Sequence, residues 1–193
     1  MSALFIAVSS SACVHVGAGL PDEWTVVEGS NSCPQINGVY SNVGKSNPND
    51  TIFTSYDDET QTFSDVGIRL THTSRFIGKG SKWYGEAYHI ERVTISQSNK
   101  KLVFSFDSDK DLAPETIDYK ECKNGWIILP TQNRMTGKDG DPVVGYGYSQ
   151  ESLAVAEDGA LIRRSSGGTA GMAFLLVPMI GTELIYHRFD CLQ

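Results

Sequence analysis

At 193 residues, with 40% hydrophobic and 20% charged content, the chain is long enough to bury one substantial core and too ordinary in composition for a disordered or fibrous protein. A formal charge of -7 and the lack of a basic stripe argue against a nucleic-acid surface, which depends on Lys and Arg displacing counterions. Abundant Gly (19), with Tyr (8) and Phe (8) set among Val, Ile and Thr in short runs, predicts a mainly β chain.

The first element is an apolar run from Ala3 to Val8, followed by Ser9, Ser10, Ser11, Ala12 and Cys13. A secretory signal combines a basic region, an apolar stretch of about 7–15 residues and small residues before the cleavage site. The last two are recognisable here. The first is missing, since Lys45 is the first Lys or Arg of the chain, and this points to a start codon upstream of Met1. The run is too short for a transmembrane helix, which needs about 20 apolar residues.

Ser10-Ser11-Ala12-Cys13 resembles the lipobox of bacterial lipoproteins, with Ser10 standing where that family has Leu. The resemblance implies that residues 1–12 are a leader, that Cys13 is diacylated, and that the chain reaches its membrane through this lipid. Val14, where the family's inner-membrane retention signal has Asp, implies sorting to the outer membrane. The same residues also fit an ordinary cleaved secretory signal or the plain opening strand of a cytoplasmic protein. Residues 13–31, Gly- and acid-rich around Pro21-Asp22-Glu23, read as a tether.

Residues 32–193 read as a single β-rich domain. It opens at Cys33-Pro34, with Gly38-Val39-Tyr40 heading the first strand. This start resembles that of uncharacterised proteobacterial lipoproteins and, more remotely, the Gly-x-Trp first strand of lipocalins. Gly167 to Pro178 and Tyr186-His187-Arg188-Phe189 are similar to the ending of the same lipoproteins.

Lys45 to Asp58 is loop by composition. Residues 63–72 fit a short helix, because Phe63, Val66 and Leu70 share a helical face and Ser64-Asp65 suits its cap, although Val66, Ile68 and Leu70 also alternate as a strand does. Tyr88–Ile95 and Leu102–Phe106 form a predicted hairpin. A second joins Thr116–Cys122 to Trp126–Leu129 through Asn124-Gly125, which supplies the positive φ of a type I′ turn. A third joins Leu153–Ala156 to Leu161–Arg164 through Asp158-Gly159, and a fourth pairs Met172–Pro178 with Leu184–Phe189 across residues 179–183. Successive hairpins predict an antiparallel meander that buries its apolar side by closing into a barrel or sandwich.

With Cys13 lipidated, three cysteines remain, and an exported compartment favours one disulfide. Cys33 and Cys122 are the candidates, since both fall in predicted core elements while Cys191 sits two residues from the end. Without lipidation, Cys13 becomes a partner for Cys191.

Asp107, Asp109 and Asp111 alternate as calcium ligands do, but Leu112 and Asp118 stand where an EF-hand loop has Gly and Glu, so a solvated acidic loop is the reading. Arg164 to Gly171 lacks the Lys of a phosphate loop and reads as a flexible connection. Gly145-Tyr146-Gly147-Tyr148 alternates on an expected edge strand. His15, His72, His89 and His187 lack metalloprotease spacing, and no Gly-x-Ser-x-Gly elbow occurs.

The expectation is a lipid-anchored envelope protein of binding, structural or accessory character, with no cofactor and no catalytic motif. Two alternatives stand beside it. A lipocalin-like carrier would hold an apolar molecule in an open barrel, and an exported hydrolase would need a His beside a Ser or Asp in a cleft.

Overall fold

The computed structural model describes residues 12–17, 19–27, 32–47, 54–57, 62–65, 70, 90–107, 112–136, 143–173 and 177–192. Within them the strands are β1 (Ala12–Gly17), β2 (Gly38–Ser41), β3 (Lys45–Ser46), β4 (Thr54–Asp57), β5 (Thr62–Asp65), β6 (Arg92–Ser98) and β7 (Lys101–Asp107). They continue with β8 (Glu115–Asp118), β9 (Glu121–Lys123), β10 (Trp126–Ile128), β11 (Gln132–Thr136), β12 (Val143–Val155), β13 (Leu161–Ala173) and β14 (Val177–Phe189). No helix occurs among the described residues.

The turns follow from local chemistry. Asn99-Lys100 (φ 49° and 60°) and Asn124-Gly125 (φ 51° and 77°) both take the left-handed conformation at the two central positions, the requirement of a type I′ turn between twisted strands. They close β6–β7 and β9–β10. Gly159 (φ 87°) completes the turn between β12 and β13 as the Asp158-Gly159 pair predicts.

Three strands of 13 residues, β12, β13 and β14, pair in sequence as the spine of an eight-stranded sheet. Its order is β1-β14-β13-β12-β10-β9, with β11 added to β12 and β3 to β14. All pairs are antiparallel except β1 with β14, which is parallel and matches Cys13 with Ile180. A second sheet runs β2-β6-β7-β8, and β4 pairs with β5. Among the described residues no sheet closes into a barrel.

One core is built from both large sheets. Tyr40, Val93, Ile95, Leu102, Phe104 and Ile117 come from the smaller sheet, and Ile127, Leu153, Leu161 and Phe189 from the larger. Phe104 and Phe189 are wholly buried, each contributing about 2–3 kcal/mol of apolar transfer. At one end, the larger sheet buries its other face in a second cluster of Trp24, Ala156, Ala160, Ile162 and Tyr186. Trp24 lies in the stretch read as a tether, and residues 19–27 pack onto the domain through the Val26–Ala156 bridge and a Val27 N–H donated to the Val155 carbonyl at 3.0 Å. The C-terminal residues join the two sheets. Ser41 N–H donates to Asp190 O at 2.9 Å and Leu192 N–H to Val39 O at 2.7 Å.

Four expectations are corrected. Residues 62–65 are strand β5, with Phe63 in register opposite Tyr56, against the helix expected over 63–72; the β propensity of Thr62, Phe63 and the facing Tyr56 outweighs the helical spacing. Residues 66–69, 71 and 72 lie outside the described set. The Gly-rich run Arg164 to Gly171 is the body of β13, and Gly145 to Tyr148 lies in β12 with partners on both sides. Glycine is required there by close approach: a Cβ at Gly145 would sit 2.5 Å from Ala170 O, and one at Gly171 2.6 Å from Val144 O. Finally, residues 179–183 form no turn. Ala173 pairs with Val177, and β14 runs straight through Gly181.

Candidate functional site

Paired residues of an antiparallel ladder share a face, so the register of β12, β13 and β14 decides which side chains meet. Leu161 opposite Phe189 points into the main core, and the period of two then sends Arg163, His187 and Glu151 to the same side. All three are buried. Arg163 Nε donates to His187 Nδ1 at 3.3 Å, and its guanidinium carbon lies 5.3 Å from the Phe189 ring centroid. Arginine only donates, so His187 Nδ1 is the acceptor and the ring is neutral with its proton on Nε2.

Glu151 is the third member. Burial pushes its carboxyl up to about 7, against the pull of the Arg163 charge and a hydrogen bond from Ser165, its direct cross-strand partner. Its Oε2 is buried with no hydrogen-bond partner. Burial likewise lowers the Arg163 pKa, and Glu151 opposes the shift. The arrangement is a desolvated acid and a desolvated cation on the same face of adjacent strands, one row apart in register, with Glu151 opposite Ser165 and Arg163 opposite Leu153.

This geometry fixes a pH response. Unfolded glutamate titrates near the ordinary 4.5, so a folded value of about 7 makes the protonated form the favoured one. Stability from this group is fully present below pH 4.5 and is lost as pH rises through 7, a difference of about 3 kcal/mol. Glu151→Gln cannot titrate. In urea unfolding across this range, the variant is expected to gain about 3 kcal/mol on the parent between the acid and alkaline limits. A constant difference between the two would refute the assignment.

The residues singled out in the sequence fall elsewhere. Cys33, in the lead-in to β2, and Cys122, on β9, form a disulfide with Cα atoms 5.0 Å apart across a sequence separation of 89. Tyr119 Oη donates to Cys33 Sγ at 3.6 Å. Cys191 is a free, exposed thiol. Cys13 lies on β1 in register with Ile180, and His15 with Thr182. Asp107 ends β7 at the surface, while Asp109, Asp111, His72 and His89 lie outside the described residues. His187 sits against a cation, where a hydrolytic base needs a carboxylate or carbonyl to orient it.

The second notable surface is the far end of the spine. Val144, Tyr146, Tyr148, Met172, Ile180 and Met135 are exposed there. By register all six occupy the sheet face opposite the Glu151 row.

No protein-family model, no curated protein and no solved structure matches this chain.

Proposed function

We propose that this chain is an exported cell-envelope protein: a two-sheet β-sandwich of binding or accessory character, held at the outer membrane by a lipid on Cys13 and facing the periplasm or the cell surface. The observation that carries the reading is the Cys33–Cys122 disulfide. Such bonds persist in oxidising compartments and are rare where glutathione and thioredoxin keep thiols reduced. The shared core between the two sheets supports the sandwich, because two open antiparallel sheets bury their apolar faces by stacking. Cleavage before Cys13 would remove one residue of β1 and leave Cys13–Gly17 paired with Ile180–Leu184.

The test is to express the gene with the codons upstream of Met1, extract the membranes with detergent and weigh the N-terminal peptide. The expected mature N-terminus is a diacylated Cys13. Any other N-terminus, or an unmodified Cys13, refutes the anchor.

A further inference from the structure

We propose that the exposed apolar face at the far end of the β12–β13–β14 ribbon lies against the bilayer surface that receives the Cys13 lipid; the inference rests on the reading of Cys13 as the anchor and names the partner of that end of the fold. Cys13 pairs with Ile180, Ile180 with Ala170, Ala170 with Tyr146, and Tyr146 with Met135. The attachment residue therefore stands in one cross-strand row that traverses β1, β14, β13, β12 and β11. Along this row Ile180 is 55% exposed, Tyr146 52% and Met135 82%. The flanking rows on the same face add Val144, Met172 and Tyr148, also exposed. A contiguous exposed apolar face of this kind on a globular chain marks a contact surface.

Its chemistry favours a lipid headgroup region over a second protein. Tyrosine carries an apolar ring with a hydroxyl at its tip, the combination enriched where hydrocarbon meets water. The chain has 23 Asp and Glu and a net charge of -7. Yet on this face from Val144 to Gln150 of β12, Ser166 to Met172 of β13 and Pro178 to Leu184 of β14, no acidic residue occupies an outward position in the row set of Tyr146. Glu183 and Glu151 both fall on the opposite face. An acid-free patch on an acidic protein removes the repulsion that anionic headgroups would exert. Position agrees as well: Ile180, the register partner of Cys13, lies six positions along β14 from buried Tyr186 and nine from buried Phe189, roughly 20 and 30 Å along the strand.

The test separates this contact from the anchor itself. The full chain carrying Cys13→Ser, which has no acyl chain, is mixed with phosphatidylethanolamine–phosphatidylglycerol vesicles and floated on a density gradient, alone and with Tyr146→Asp plus Ile180→Asp added. The expected result is flotation of the first and a partition about tenfold or more weaker for the second, because charges replace two apolar contacts. Equal partition of the two proteins, or no flotation of either, overturns the inference. So does a concentration-dependent dimer, seen by sedimentation, that the two Asp substitutions abolish without any change in flotation. Thermal melting checks that the variants fold, and Met135→Asp supplies a second, more exposed site should the double variant melt early. Acylation of Cys13 with patch-independent flotation sinks this inference alone. Patch-dependent flotation with an unmodified Cys13 sinks the anchor and leaves the face as a lipid contact.

Discussion

Replacing Arg163 with Ala is expected to cost about 3–5 kcal/mol near pH 8, because it strips the cation from a buried carboxylate. For a domain whose whole stability is about 5–15 kcal/mol, this is a large fraction. The physical reason lies in desolvation. Glu151 and Arg163 both lie out of water, burial opposes the charged form of each, and each is the other's compensating charge. Arg163 also donates to His187 and lies over the Phe189 ring, so its loss removes a hydrogen bond and a packing contact along with the charge. The cost should shrink as pH falls below 7, where Glu151 becomes neutral and no longer needs a cation. Removing both charges by Glu151→Leu with Arg163→Met should recover most of the loss, since opposed buried charges replaced together by apolar groups of similar size are often neutral or stabilising. Chemical denaturation of the three variants at acid and alkaline pH decides the matter. A loss below about 1 kcal/mol for Arg163→Ala at pH 8 would mean that the cation does not hold the carboxylate.

The same residues explain what the sequence discloses and what it conceals. Asn124-Gly125 and Asp158-Gly159 are legible because a type I′ or tight turn is a local requirement that few dipeptides meet. The Gly-Ser run of β13 is not, because its residues have poor β propensity and become strand only through the backbone approach between Gly145 and Gly171, residues that meet only after folding. The pairing of β1 with β14 joins the two ends of the chain and leaves no local trace. The charged cluster was within reach of a period-two argument. Once Leu153, Leu161 and Phe189 point inward, alternation brings Glu151, Arg163 and His187 in beside them. Isolated charges on strands normally face water, and that expectation hid them.

Loss of the Cys33–Cys122 disulfide is expected to cost about 4.6 kcal/mol, by constraint of the unfolded chain alone. The bond closes a loop with a sequence separation of 89, and the entropy it removes from the unfolded state grows with the logarithm of that length. It also ties the lead-in of β2, in the smaller sheet, to β9 at one edge of the larger, so it spans the boundary across which the shared core is packed. The variant to make is the double Cys33→Ala, Cys122→Ala, since either single change frees a thiol that can mispair with the exposed Cys191. Its melting temperature should fall by roughly 10 °C in a chain of this size. The parent treated with dithiothreitol should match it, and the double variant should be indifferent to reductant. A parent that melts identically with and without reductant would remove the disulfide as a stabilising element, and with it the strongest structural support for export. The expected drop, by contrast, ties the stability of the fold to an oxidising compartment.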